Sequence, residues 1–195
     1  MVMANTNRGV LMTLLNLVLV AVIQGLTEFL PVSSSGHLVL VPYFSEFDDQ
    51  GQAIDVAVHV GTLFAVIFYF WPDVRTALIG LPRMFGTRRH EAPAELARFL
   101  VIATLPVIIA GLVLKLTGFD DALRSIAVIG WAMIVFGVVL WWFDTKSHTS
   151  KHASHWSAKD ALVMGLWQAV ALIPGTSRSG ITITGARALG YDRHS

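Results

Sequence analysis

Residues 24–38 read QGLTEFLPVSSSGHL and residues 167–180 read WQAVALIPGTSRSG, so one layout occurs twice in the chain. In each stretch an apolar segment with a glutamine runs into a proline and then into a short hydroxyl-rich segment containing Ser-Gly. Non-helical backbone at membrane depth is tolerated only where it is buried in protein or lines a wet cavity. We therefore expect the two breaks to form the tips of re-entrant helical hairpins, at residues 10–42 and 161–190.

The composition indicates a membrane protein. Of the 195 residues, 54% are hydrophobic and 14% are charged, and the mean hydropathy is +0.63, which excludes a soluble globular domain. The formal net charge is +1, from 14 basic and 13 acidic side chains, so nucleic acid is not an expected partner. The absence of cysteine from the sequence excludes disulfides, thiolate zinc sites and cysteine nucleophiles.

Three apolar runs lie between the two breaks, at residues 56–72, 99–118 and 123–143. A transmembrane helix needs about 20 apolar residues to cross roughly 30 Å of hydrocarbon, so each run is predicted to span the bilayer. An odd number of crossings turns the second broken segment upside down relative to the first. The sequence therefore predicts an all-α polytopic membrane protein with one domain over residues 1–195, built as an inverted-topology repeat whose hairpin tips meet near the middle.

Basic residues in the connecting segments give the orientation, because Lys and Arg are enriched in cytoplasmic loops. They follow the first and the third predicted spans: Arg75, Arg83, Arg88, Arg89, Arg98, Lys146, Lys151 and Lys159. Residues 43–55 carry four acidic side chains and no Lys or Arg, which favours the outer side for this segment.

An ionisable side chain stands inside the first broken segment. Glu28 follows Gln24 by four residues, so the two side chains share one face of a helix. An isolated carboxylate in hydrocarbon costs about 2.5 kcal/mol or more on insertion scales. A functional role is therefore expected, with a snorkelling surface residue as the alternative. Two roles stay open for Glu28: ligand of a divalent cation, and general acid or base.

The first hydroxyl-rich break carries groups that suit an anion. Ser33, Ser34 and Ser35 are followed by Gly36 and His37. This places hydroxyls, backbone N–H groups and an imidazole just beyond a helix break, an arrangement that suits phosphate. A serine run is also common as a helix N-cap, and a single histidine is more often structural than catalytic.

Arg178, in the second break, strengthens this interpretation. Its guanidinium cannot be neutralised by losing a proton, so at membrane depth it needs an anionic partner, either Glu28 or a substrate phosphate. Gly175 and Gly180 let the backbone approach such an anion closely. Together these groups indicate phosphoryl transfer, in which stabilisation of charge is the main task. His59, within an apolar span, is expected to hydrogen-bond inside the helix bundle, with the cavity as its alternative position.

Three stretches carry a resemblance to a known family: QGLTEFLPVSSSGHL at 24–38, HVGTLFAVIFYFW at 59–71 and PGTSRSGIT at 174–182. The chain resembles the bacitracin-resistance family of bacterial undecaprenyl-diphosphate phosphatases, whose signatures are Glu or Gln, three residues, then Glu, and PGxSRSxxT. The resemblance implies hydrolysis of undecaprenyl diphosphate to undecaprenyl phosphate and inorganic phosphate at the outer (periplasmic) face of the bacterial inner membrane. In that family this reaction recycles the lipid carrier of peptidoglycan synthesis and confers bacitracin resistance.

Carried over by motif position, the resemblance implies a role for each matching residue. Glu28 is the essential carboxylate and assists a divalent cation, Mg²⁺ or Ca²⁺. Ser34 or His37 attacks or activates phosphorus; we favour His37 as nucleophile or base, with Ser34 donating a hydrogen bond, because an imidazole needs less activation near neutral pH. Arg178 grips the diphosphate. The residues expected to bind substrate around it are Gln24, Ser33, Ser35, Gly175, Ser177, Ser179 and Thr182.

The chain departs from the family in its length. Family members continue well past residue 195, and the second broken segment lacks the three spans that follow the first, so a truncated chain with an open lipid cavity is expected. The rival function is a transporter or flippase of an anionic polyprenyl lipid, because inverted repeats with broken helices are transporter architecture. The oligomeric state stays open between a monomer and a homodimer.

Overall fold

Helices make up the secondary structure of the part of the chain that the structure describes. The computed structural model describes residues 2–44, 50–119, 123, 125–152 and 155–193. Over these residues the elements are α1 Val2–Thr27, α2 Ser34–Phe44, α3 Gln52–Tyr69, α4 Trp71–Arg83, α5 Ala92–Thr117, α6 Ile126–Lys146, α7 Ala158–Val170 and α8 Arg178–Ala188. The all-α prediction is confirmed for the described ranges, in which β-type pairing is limited to one isolated bridge between Lys151 and Tyr191. Glu46, Asp48 and Asp49 of the acidic segment lie outside the described residues.

Two of the described helices are long and apolar enough to cross a membrane. They are α5 and α6, with mean hydropathies of 2.5 and 2.3 over their most apolar windows, and they coincide with the predicted runs 99–118 and 123–143. The predicted run 56–72 falls on α3, which continues into α4 after a bend of 88°. That pair is a third span if it crosses as one broken helix. The chain is therefore a multi-pass membrane protein.

The bend between α3 and α4 follows from the sequence FWP at residues 70–72. Pro72 has no N–H and cannot donate the next intrahelical hydrogen bond, but it fits well in the first turn of a new helix. Phe70 leaves helical geometry at φ −97° and ψ 27°, while its N–H still bonds the Val66 carbonyl at 2.9 Å. The helix that restarts at Trp71 then packs along α5.

The apolar side chains of the spans face outward. Only 6% of the most apolar window of α5 is buried, and 11% of that of α6, as expected for helices that face lipid rather than water. A small core lies instead between α1 and α2, where Val20, Leu38 and Val41 are buried. This core holds the two helices on either side of the first break against each other.

Both breaks lie beside α6 and touch each other. Each break connects two helices that pack together, α1 with α2 and α7 with α8, and both α2 and α8 also contact α6. The Ser179 hydroxyl in the second break donates to the Leu30 carbonyl in the first at 2.8 Å. The fold therefore brings two segments that are far apart in the sequence to one place.

A polar cluster ties together the segments that flank the second break. Asp160, buried in the first turn of α7, accepts hydrogen bonds from Lys151 at 3.0 Å, Ser157 at 2.9 Å and Tyr191 at 3.0 Å. Burial raises the pKa of Asp160, but these hydrogen bonds and the Lys151 charge together outweigh it, so the pKa lies below its ordinary value. Burial and the neighbouring carboxylate raise the pKa of Tyr191 to about 12, so its hydroxyl remains a donor.

Gly80 sets the distance between α4 and α5. A Cβ at this position would lie 1.8 Å from the Pro93 carbonyl oxygen, so we expect Gly80→Ala to lower the free energy of unfolding by about 1–3 kcal/mol or more. Gly61→Ala is the control, because none of the described residues lies within 4 Å of a Cβ there and Ala favours a helix over Gly. Thermal unfolding in detergent measures both variants, and a wild-type melting temperature for Gly80→Ala would contradict this packing.

The lowered pKa makes the Asp160 cluster sensitive to acid. Its stabilising contribution is fully present above the unfolded pKa of Asp, about 4, and is lost as the pH falls through the lower folded value. We expect Asp160→Asn to be less stable than the wild type at neutral pH, with a flatter loss of melting temperature between about pH 5 and pH 2. Asp73→Asn, at an exposed position, is the control. If the melting temperature of Asp160→Asn falls as steeply with decreasing pH as that of the wild type, the ionised Asp160 does not stabilise the fold in the way expected here.

Candidate active site

The same N-cap begins the helix that follows each break. The Ser33 hydroxyl accepts a hydrogen bond from the Gly36 N–H at 3.2 Å and contacts the Ser35 hydroxyl at 3.2 Å. The Ser177 hydroxyl accepts from the Gly180 N–H at 3.1 Å and contacts the Ser179 hydroxyl at 3.0 Å. Serine is a favoured N-cap because its oxygen satisfies one of the free N–H groups of the first turn. The positive ends of two helix dipoles therefore lie at the breaks.

A polar cleft lies where the two breaks meet α3. Seven of the predicted site residues line it: Glu28, Ser33, Ser34, Ser35, Ser177, Arg178 and Ser179. Four others lie outside its lining: Gln24, His37, Gly175 and Thr182. The predicted carboxylate, the predicted guanidinium and the hydroxyls of both breaks thus share one cavity.

Glu28 is held in this cleft by two donors. Its Oε2 accepts hydrogen bonds from Gln24 Nε2 at 2.9 Å and from the Ser34 hydroxyl at 2.6 Å. Gln24 is fully buried, and its Nε2 also lies 3.4 Å from Thr62 Oγ1 on α3. The predicted sharing of one face by Gln24 and Glu28 is confirmed. Gln24 therefore orients the carboxylate from behind the cleft, while Ser34 contacts it from within.

The imidazole beside the carboxylate is that of His59. Its Nε2 lies 3.9 Å from Glu28 Oε2, and its Nδ1 lies 2.7 Å from the Asp55 carbonyl oxygen. A carbonyl only accepts, so Nδ1 carries a proton and Nε2 faces the cleft. The ring of His37 is instead drawn to the Ser33 carbonyl, with Nδ1 at 2.6 Å. Both positions considered for His59 are seen together, because its Nδ1 bonds the Asp55 carbonyl within α3 while the ring lines the cleft.

Arg178 lines the cleft, and its side chain faces open space there. Among the described residues its guanidinium forms no ion pair and no hydrogen bond, so the pairing with Glu28 considered from the sequence is not formed. Arg178 is the first residue of α8, where the helix dipole opposes a cation. An exposed cation in this unfavourable position, facing a cleft, has the properties of an anion-binding group.

Two of the predicted substrate-binding residues contact the protein's own backbone. Gly175 has φ +92°, and a Cβ there would lie 2.4 Å from the Ile129 carbonyl oxygen, so this glycine lets the second break approach α6. Thr182 Oγ1 donates to the carbonyls of Arg178 and Ser179, each at 3.0 Å. These contacts place the two residues in the support of the cleft.

Comparison with known proteins places these features in one family. The sequence matches the family model described as Bacitracin resistance protein BacA over residues 17–195, which include both breaks. It is 63% identical over 182 residues to the undecaprenyl-diphosphatase of Ruegeria pomeroyi, covering 93% of this chain and 68% of that protein. The undecaprenyl-diphosphatase of Jannaschia sp. is 63% identical over 184 residues, covering 94% of this chain and 69% of that protein. The undecaprenyl-diphosphatase of Idiomarina loihiensis is 47% identical over 184 residues, covering 94% of this chain and 69% of that protein.

The N-cap of α8 should contribute to both stability and anion binding. Ser177→Ala and Ser125→Ala each remove an N-cap, because Ser125 accepts from the Val128 N–H at 3.2 Å at the start of α6, so each should lower stability by about 1 kcal/mol. Only Ser177 lines the cleft. We expect Ser177→Ala alone to weaken binding of inorganic pyrophosphate, by about fivefold, in isothermal titration calorimetry. Equal affinities of the two variants for inorganic pyrophosphate would show that Ser177 does not contribute to anion binding.

Proposed function

The chain belongs to the Bacitracin resistance protein BacA family, and on that premise we propose that it hydrolyses undecaprenyl diphosphate to undecaprenyl phosphate and inorganic phosphate. Relatives with 63% identity are named undecaprenyl-diphosphatase. The observation that carries the proposal is the 2.6 Å hydrogen bond from the Ser34 hydroxyl to Glu28, in a cleft that also holds the Arg178 guanidinium. A hydroxyl, a base and a cation in contact with one cavity suit phosphoryl transfer. A transporter or flippase is not favoured.

Ser34 is the nucleophile in this proposal. Its oxygen attacks the terminal phosphorus while Glu28 Oε2 accepts the hydroxyl proton. The bond from that phosphorus to the bridging oxygen breaks, and undecaprenyl phosphate leaves with the electron pair and the proton from Glu28. Water then attacks the phosphoserine, its proton returns to the serine oxygen, and inorganic phosphate leaves. The geometry favours Ser34 over His37, because the His37 ring lies outside the cleft lining and its Nδ1 is bonded to the Ser33 carbonyl.

Arg178 and the two helix N-termini hold the diphosphate. A guanidinium presents parallel N–H groups that match two phosphate oxygens at once. The dipoles of α2 and α8 add positive potential where the bridging oxygen gains charge as it leaves. Ser35 and Ser179, the second residues of α2 and α8, also line the cleft. The Ser35 hydroxyl offers a further donor, whereas the Ser179 hydroxyl donates to the Leu30 carbonyl.

A divalent cation, Mg²⁺ or Ca²⁺, fits the donor set of the cleft. The contacts of Gln24, Ser34 and His59 with Glu28 all fall on Oε2, so Oε1 remains for an ion. Groups of three or more His, Cys, Asp or Glu side chains suited to a metal are absent from the described residues. Mg²⁺ commonly binds one or two carboxylates together with substrate phosphates. Glu28 would hold such an ion together with the diphosphate, and the ion would neutralise phosphate charge.

The two breaks are proposed to be re-entrant hairpins of an inverted repeat. Support comes from the identical N-caps and from the Ser179 to Leu30 hydrogen bond that joins the breaks. Tips that enter from opposite faces place polar backbone next to protein and a wet cleft, as the bilayer requires. The basic residues of the connecting segments support a cytoplasmic position for those segments. The cleft then opens toward the periplasmic side of the bacterial inner membrane.

Single substitutions in the full-length protein test the chemistry. We expect Glu28→Gln, Ser34→Ala and Arg178→Gln each to lower phosphate release from undecaprenyl diphosphate in detergent by about 100-fold or more. Thr104→Val, on the exposed face of α5, is the control with unchanged rate. Trapping of a phosphorylated enzyme by the wild type and its loss in Ser34→Ala would identify the nucleophile. Wild-type protein that moves the lipid between leaflets and releases no phosphate would favour transport instead.

A further inference from the structure

His59 lines the polar cleft beside Glu28 and has no part in the proposed attack by Ser34. The side chains of His59 and Glu28 are 37% and 23% exposed, so water reaches both. The imidazole is oriented from within α3, where its Nδ1 donates to the Asp55 carbonyl at 2.7 Å. A neutral imidazole with its hydrogen on Nδ1 has none on Nε2. The ring atom that lies beside Glu28 is therefore a hydrogen-bond acceptor.

Two acceptors thus lie side by side in the cleft. His59 Nε2 is 3.9 Å from Glu28 Oε2, and neither atom carries a hydrogen for the other. A water molecule has two hydrogens, and two acceptors that it serves at about 2.8 Å each lie roughly 4–4.5 Å apart. The separation in the structure is close to this distance. One water therefore satisfies both atoms and keeps its lone pairs for a third group.

The state of Ser34 determines when Glu28 can accept such a water. Oε2 accepts hydrogen bonds from Gln24 Nε2 at 2.9 Å and from the Ser34 hydroxyl at 2.6 Å. A carboxylate oxygen has about two acceptor sites, so both are taken. A phosphorylated serine has lost its hydroxyl hydrogen, which leaves one of these sites open. Water can then bind between His59 and Glu28 in the second half of the reaction.

We propose that His59 and Glu28 hold the water that hydrolyses the phosphoserine, which makes His59 a further catalytic residue. The inference rests on the proposed function, because it needs a phosphorylated Ser34. Glu28 Oε2 takes one proton from the water, and the water oxygen bonds to phosphorus as the bond from phosphorus to the serine oxygen breaks. The proton then passes from Oε2 to the serine oxygen, and inorganic phosphate leaves with the second hydrogen. His59 stays neutral and orients the water by accepting a hydrogen bond from that second hydrogen.

The test resolves the two halves of the reaction in the full-length protein. Undecaprenyl phosphate leaves in the first half and inorganic phosphate in the second, so rapid-quench measurement of both products separates the steps. We expect His59→Leu to slow steady-state phosphate release by about tenfold to 100-fold, while the burst of undecaprenyl phosphate keeps its wild-type rate and phosphoserine accumulates. His90→Leu, the same change at an exposed position between α4 and α5, is the control with unchanged rates.

Two amide variants test the position of the acceptor. The side-chain oxygen of His59→Gln reaches the place of Nε2, so this variant should regain most of the rate of phosphate release. His59→Asn is too short to reach that place and should accumulate phosphoserine as His59→Leu does. The amplitude of the burst counts the folded, active protein, so partial unfolding of a variant does not imitate these results.

The outcomes distinguish this inference from the proposed function. A burst that slows as much as steady-state phosphate release in His59→Leu overturns the water site and leaves the phosphatase in place. Slow phosphate release without accumulation of phosphoserine does the same, as do equal rates for His59→Gln and His59→Asn. Absence of phosphate release from the wild type refutes the proposed function itself, and the water site with it.

Discussion

Backbone groups that lose their intrahelical partners at a helix break must find hydrogen-bond partners elsewhere in the protein, and the contact between the two breaks meets this constraint. The Ser179 hydroxyl satisfies the Leu30 carbonyl, and Ser33 and Ser177 satisfy N–H groups of the helices that restart after the breaks. The residues of the cleft come from segments far apart in the sequence. Their relative positions therefore depend on these few polar contacts and on the packing of both breaks beside α6.

The sequence predicted the parts of the site that short-range geometry determines. Four residues separate Gln24 from Glu28, which is one helical turn, and this spacing alone placed both on one face. Proline followed by serines and glycine predicted both breaks, because proline interrupts a helix and serine caps the next one. The apolar runs of α5 and α6 were equally predictable from the sequence, because a helix that crosses a bilayer needs a minimum apolar length.

Tertiary contacts decided what the sequence left open. His37 stands next to the serines in the chain, but its ring bonds back to the carbonyl four residues earlier, a choice of rotamer that spacing does not reveal. His59 is surrounded in the sequence by apolar residues, and only the packing of α3 against α1 brings it to Glu28. The restart of the chain as α4 after an 88° bend was likewise hidden, because a proline at the end of an apolar run fits the end of a span as well as the start of another helix.

The location of Arg178 at the first position of α8 bears on how a turnover cycle finishes. Without an anion, the guanidinium and the two helix N-termini repel one another across the cleft, and one carboxylate offsets only part of this. In the proposed reaction, a diphosphate bound in the cleft relieves most of the repulsion because it carries charge on both of its phosphoryl groups. Undecaprenyl phosphate or inorganic phosphate alone relieves less of this repulsion. The same electrostatics that retain the diphosphate therefore favour release of the two products.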